Sequence, residues 1–313
     1  MEELPNQQEF KVNKMKKLFL TLLFLACFHT LVVADTPLPP PAQFDFDNDG
    51  RGDISVFRPS EGIWYSDTFH WGFRSIQFGI SEDKPVPVDF DGNGSSEIAV
   101  FRPSTGAWYV QKATTGEVIA AVAFGISEDV PVPAGYTGDR KAEIAVFRPS
   151  NGTWYFYDLT TGQFSGFQFG TAGDIPVPAD YDGDRKTDVA VFRPSEGVWY
   201  LQQSRDGFAA VQFGLNGDKP VPARYDLDAK ADIAVFRPSN GTWYLLKSEE
   251  GFAAMQFGIS TDKPVPTDYD GDTKTDIAVY RNGTWFVQRT SLGFAAFQFG
   301  LGTDIPAPNA FIR

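Results

Sequence analysis

One sentence recurs from end to end of this chain, and its clearest copy is 180–200, DYDGDRKTDVAVFRPSEGVWY. The opening aspartates stand at 45, 89, 180 and 268, with Gly135 and Arg224 in the equivalent places, so the six copies follow one another at steps of 44, 46, 45, 44 and 44 residues. A fixed period of this length marks an array of supersecondary units that bury their apolar faces against one another.

Within a copy the punctuation predicts four strands. In 176–193 a short run ends at Tyr181, an acidic turn follows, and Val189 to Phe192 is β-branched and aromatic. Pro194 to Gly197 make a turn, 198–202 reads as a third strand, and 208–214 as a fourth after a turn at Asp206 and Gly207. Four strands in about 44 residues is the size of a propeller blade. The sixth copy tests the register: Arg281-Asn282-Gly283 replaces Arg-Pro-Ser-x-Gly and is two residues shorter. An even deletion leaves side-chain faces unchanged, and Asn-Gly favours a two-residue hairpin turn. The expected fold is all-β, a propeller of four-stranded antiparallel blades, six in number, with seven as the alternative. A seventh blade would need about 40 further residues.

Residues 1–34 read as an export signal: Lys11, Lys14, Lys16 and Lys17 precede an apolar run that ends Val32-Val33-Ala34. Met15 opens the more usual form of such a signal. The propeller is assigned to 35–313. The signal holds the one cysteine, Cys27, and His29 of the two histidines, so thiol chemistry, disulfides and structural zinc are excluded from the mature chain. The net charge of −13 becomes −14 once four lysines and three glutamates leave with the signal. Such a surface repels nucleic acid and anionic membrane. The segment 35–43, DTPLPPPAQ, is expected to give copy one its first strand, and the matching tail 304–313, DIPAPNAFIR, to start an unfinished blade or lie over the seam between the ends.

The acidic loops carry the chemistry. In copy one Asp45, Asp47, Asp49 and Asp53 occupy positions 1, 3, 5 and 9, with Gly50 at position 6 and the Arg51 carbonyl at position 7, a spacing that gives a hard oxygen cage for Ca²⁺. Copy two repeats it as Asp89, Asp91, Asn93 and Glu97. Copy four has Asp180, Asp182, Asp184 and Asp188; copy six has Asp268, Asp270, Asp272 and Asp276. Copy five has Arg224 at position 1 but keeps Asp226, Asp228 and Asp232, and copy three retains only Asp139 and Glu143, so no ion is expected in copy three. Arg185 and Thr273 stand where the sharp turn wants glycine. The competing reading is that these aspartates cap their own turns. Arg51-Gly52-Asp53 spells an adhesion tripeptide, but Asp53 is committed to the loop.

The DxDxDGxxD loop before an apolar strand, with FRPSxGxWY and QFG after it, resembles the FG-GAP or VCBS repeats of integrin-α-type propellers over essentially all of 35–308. The resemblance implies a calcium-stabilised extracellular propeller with its ions on one face. Two departures are the loss of the position-6 glycine in most copies and the seven blades of integrin propellers.

Three further expectations follow. The arginine after each second strand (58, 102, 148, 193, 237, 281) pairs with Asp83, Asp129, Asp174, Asp218, Asp262 or Asp304 of a neighbouring copy. The repeated tryptophans (64, 108, 154, 199, 243, 285) belong to the core rather than to sugar sites, and the Asn-Gly-Ser/Thr sequons serve as turns. Ligand specificity belongs to the third-to-fourth strand loops, which vary most; the richest, 66–73, offers Asp67, His70 and Trp71. With no paired nucleophile and base, the chain reads as non-enzymatic: a monomeric secreted or cell-surface module that binds an extracellular protein, or alternatively a glycan as a lectin with several similar sites, a polysaccharide-active enzyme being the distant alternative.

Overall fold

The computed structural model describes residues 43–312. The signal assigned to 1–34 and most of the proposed first strand at 35–43 lie outside the described residues. Twenty-four strands form six four-stranded antiparallel sheets, and the sheets are the blades of a six-bladed β-propeller. No α-helix occurs among the described residues; a single 3₁₀ turn spans Ala307–Asn309.

Blade four shows the construction. Its second strand, Val189–Arg193, pairs with Val198–Gln203, and this in turn with Gly207–Gln212. The first strand is only Ile175–Pro176, shorter than expected, because prolines at 176 and 178 withhold the amides a longer ladder needs. A single bridge from Ala179 to Asp188 extends it across the acidic loop. In the sixth blade Arg281 faces Thr284 across Asn282-Gly283, both at positive φ, while Tyr280 still faces Trp285 as Phe192 faces Trp199. The two-residue deletion preserves every face.

Alternation divides each second strand between two interfaces. In Ile233–Arg237, Ile233 and Val235 look back to blade four, where they pack with Phe192 and Trp199, whereas Ala234 and Phe236 look forward and pack with Ile277 and Val279. Each of the six core clusters spans one blade interface in this way, including Val56 of blade one with Tyr280 and Trp285 of blade six. The six repeated tryptophans are buried. Each Nε1 donates to the carbonyl of the phenylalanine in QFG, or in Ala123-Phe124-Gly125 of blade two, at 2.8–3.0 Å, so the indole satisfies its donor inside the core.

The first strand of blade one corrects the sequence reading. Ile54–Arg58 is flanked by Ile63–Thr68 and by Ile305–Pro306 from the other end of the chain, with Val56 facing Pro306 and Phe57 facing Ile305. The place assigned to 35–43 is therefore taken by the tail, which neither starts a seventh blade nor merely covers a seam. Spacing explains it: Asp304 precedes Ile305-Pro306 as Asp174 precedes Ile175-Pro176, whereas Asp35 lies ten residues before its acidic loop and every internal equivalent lies six before. Closure with a strand from the opposite end leaves no open inner edge. Beyond it Phe311 packs on Phe44, and Asn309 Nδ2 donates to the Pro264 carbonyl.

The recurrent arginines pair with the expected aspartates, and the structure assigns each pair to one blade. Arg193 donates through Nε and Nη2 to both oxygens of Asp174 (2.8 and 2.9 Å), which lies immediately before the first strand of the same blade. Arg58 does the same to Asp304 across the closure. Each guanidinium also stacks on an aromatic ring of the third strand, such as Tyr200 at 4.4 Å from Arg193.

Candidate functional site

The acidic loops lie between the first and second strands of each blade, and their side chains play distinct parts. The position-1 carboxylate organises the turn. Asp45 accepts from the amides of Asn48 (2.6 Å) and Gly50 (2.8 Å), Asp180 from Gly183 and Arg185, and Asp268 from Gly271 and Thr273. The turn-capping reading thus holds for this position. The position-9 carboxylate ties back to the amide at position 2: Asp53 to Phe46, Glu97 to Phe90, Asp188 to Tyr181, Asp276 to Tyr269. Position 3 reaches inward between them.

Carboxylate oxygens of positions 1, 3 and 9 lie within 4.8 Å of one another in blades one, two, four and six: Asp45/Asp47/Asp53, Asp89/Asp91/Glu97, Asp180/Asp182/Asp188 and Asp268/Asp270/Asp276. Position 5 stands apart from these triads. Asp184 and Asp272 accept hydroxyl hydrogens from Ser204 and Thr290 at 2.6 Å, and Asn93 accepts from Ser95. Arg51 is held by its amide, which donates to Asp49, and by its guanidinium, 4.7 Å from the Phe69 ring.

Loops three and five depart chemically. In blade three Thr137 Oγ1 donates to Glu143 at 2.8 Å, so a hydroxyl replaces a second carboxylate. In blade five Asp226, Asp228 and Asp232 do form a triad, from positions 3, 5 and 9 rather than 1, 3 and 9, but Arg224 donates to the Asp228 carbonyl. That loop also lacks the positive-φ residues found at positions 4 and 6 elsewhere, among them Gly183 with Arg185 and Gly271 with Thr273. Its backbone follows another path, with the Arg224 cation alongside.

Among the described residues three buried side-chain oxygens have no hydrogen-bond partner: Asp47 Oδ1, Asp49 Oδ2 and Asp270 Oδ1. Buried carboxylate oxygens without partners are costly, and clustering adds mutual repulsion. Burial, with neighbouring carboxylates adding to it, pushes Asp53 up to about 8, Asp276 and Glu97 to about 7, and Asp45 and Asp188 to about 6, against amide hydrogen bonds that pull down. A set of hard, crowded oxygen donors of this kind suits a hard divalent cation.

The third-to-fourth strand loops dock on the same carboxylates, which puts them on the same face. His70 N donates to Asp47 Oδ2 at 2.8 Å, Arg205 N to Asp182, Glu249 N to Asp226 and Ser291 N to Asp270. Asp67 and His70 are exposed and Trp71 is half-buried, the one tryptophan outside the core. Its ring carries the Arg74 guanidinium at 4.7 Å, a residue that reading the loop alone did not single out. Asp53 of the adhesion tripeptide is buried, as a loop carboxylate should be.

No protein-family model and no curated protein matches the sequence. Among solved structures the fold is similar to a streptogramin B lyase (TM-score 0.56, 6% identity, 88% of this chain and 93% of that one). It is also similar to a lectin from Agrocybe aegerita that recognises non-reducing terminal N-acetylglucosamine (0.53, 15%, 87% and 80%). A third likeness is to BBS1N in complex with ARL6DN (0.52, 10%, 90% and 87%). At these identities the likeness is one of fold.

Proposed function

We propose that this chain is an exported, calcium-stabilised β-propeller of the FG-GAP or VCBS kind, whose acidic-loop face presents variable loops to an extracellular protein, and that it is not an enzyme. The observation that carries the calcium reading is the partnerless buried oxygens of Asp47 and Asp270 inside ready-made carboxylate triads, with that of Asp49 in the same loop as the first. A cation would supply the missing partner and relieve the repulsion. Blades one, two, four and six would hold it; Thr137 in blade three and Arg224 in blade five take the place of a ligand. Backbone ties from the loops to Asp47, Asp182, Asp226 and Asp270 support the interaction reading, because ion binding would then order the surface that meets the partner.

A glycan-binding reading has its own support in the half-buried Trp71–Arg74 stack and in the fold likeness to a lectin. Calcium titration of metal-stripped protein, followed by calorimetry and by thermal melting, tests the main proposal. Saturable binding with a rise in melting temperature is expected, reduced by one site in Asp182→Ala and unchanged in Asp139→Ala. A melting curve indifferent to calcium would leave turn capping as the sole role of the aspartates.

A further inference from the structure

Blade one departs from blades two, four, five and six along one row of its sheet. The row faces blade two and runs through the second, third and fourth strands. In blade four it reads Ala190, Leu201, Ala209; in blade five Ala234, Leu245, Ala253; in blade two Ala99, Val110, Ala120. In blade one it reads Ser55, Ser66, Arg74. Substituting serine for the bulky middle residue leaves space, and a narrow pocket opens there between Phe46, Ser66, Trp71, Arg74, Ile98 and Ala113. It continues into an open cleft lined by Trp71, Phe73, Arg74 and Thr114.

Arg74 is unlike the six structural arginines. Among the described residues no carboxylate pairs with it, and its contact is the indole of Trp71. Stacking fixes the plane of the guanidinium and leaves its fork of N–H groups for an oxyanion. Around it stand a ring face at Trp71 and hydroxyls at Ser66 and Thr114. The acidic surface disfavours polyanions.

We infer that this groove between blades one and two binds a saccharide bearing a carboxylate, such as a uronic acid, with the carboxylate on Arg74 and the sugar ring against Trp71. This deepens the reading of the acidic-loop face as a recognition surface and rests on it, without depending on calcium for any contact.

The test is a fluorescence titration of the full chain in calcium, in which Trp71 reports because the other six indoles are buried. Sodium glucuronate is the probe, with glucose and acetate as controls. Glucuronate should saturate, with each control at least about tenfold weaker, the worth of a charge-assisted pair. Arg74→Ala installs the residue that blades two, four, five and six already carry, so folding should survive. It should bring glucuronate down to the level of glucose with melting temperature unchanged. Equal binding of acetate and glucuronate, undiminished binding by Arg74→Ala, or no saturation would each overturn the inference. A fall in melting temperature without a change in affinity would make Arg74 a packing residue instead. Loss of the calcium response with glucuronate binding intact would sink the calcium reading alone.

Discussion

At the residue scale the fold rests on a repeated set of side chains, each with two partners. Arg193 is held in a two-point bond by Asp174, whose side chain is buried, and is covered by Tyr200. Removing the arginine strands a carboxylate in the interior, so Arg193→Ala should cost about 3–5 kcal/mol in denaturant unfolding. Arg193→Lys should recover little of it, having neither the fork nor the stacking plane. A loss below ~1 kcal/mol, the worth of a surface ion pair, would contradict this. The pair was legible in the sequence because arginine and aspartate recur at fixed places; its confinement to one blade was not, since repeat boundaries and blade boundaries differ by one strand. Conversely, Thr273 and Arg185 hold φ of 72° where the loop turns sharply, a conformation that costs a β-carbon about 1 kcal/mol. The turn is therefore kept without glycine, at a cost in strain. Thr273→Gly should stabilise the loop by up to ~1 kcal/mol, measurable as a raised denaturation midpoint at unchanged slope.

The elements that distinguish this propeller are its acidic loops, and they are joined to one another. The amide at position 8 of each loop donates to the position-1 carbonyl of the loop before it: Ser96 to Asp45, Ala142 to Asp89, Thr187 to Gly135, Ala231 to Asp180, Thr275 to Arg224 and Gly52 to Asp268. Six such bonds close a circle, and no pattern in the sequence announces a backbone bond between repeats. What the sequence did display was the donor spacing. It did not display which donors converge, because the serine or threonine that draws position 5 aside sits 18 or 20 residues later, in another loop. The raised carboxyl values set the pH response of the metal-free protein. Asp53, Glu97 and Asp276 bind protons more tightly folded than unfolded, so the stability they contribute to the metal-free protein is fully present below about pH 4 and is lost as pH rises through about 7 to 8. Melting in chelator should show that fall. Added calcium competes with those protons, so its stabilising increment should grow over the same interval; a chelated protein whose melting point rises from pH 5 to 8 would refute the assignment.

For the whole molecule the decisive contact joins residues 246 positions apart, where Arg58 grips Asp304 and the tail strand Ile305–Pro306 completes blade one. The period made six blades readable, but a periodic sequence offers two similar end segments, and only pairing decides between them. Closure and the loop circle act on the same object: Gly52 of blade one bonds to Asp268 of blade six, directly beside the carboxylate triads of both blades. Ion binding at these two loops should therefore strengthen the seam. Deleting 303–313 should broaden the unfolding transition and expose the inner edge of Ile54–Arg58 to aggregation. In the intact chain Asp270→Ala, at the seam, should lower the calcium-loaded melting temperature more than Asp182→Ala, far from it, although each removes one ligand from one triad. At hundredfold excess of calcium over the dissociation constant each site contributes about 2.7 kcal/mol, so loss of either alone is measurable. Comparing the two in calcium and again in chelator separates the contributions: the difference should be present with calcium and vanish without it. Equal losses in both conditions would mean that the seam is held by its strand and its arginine alone.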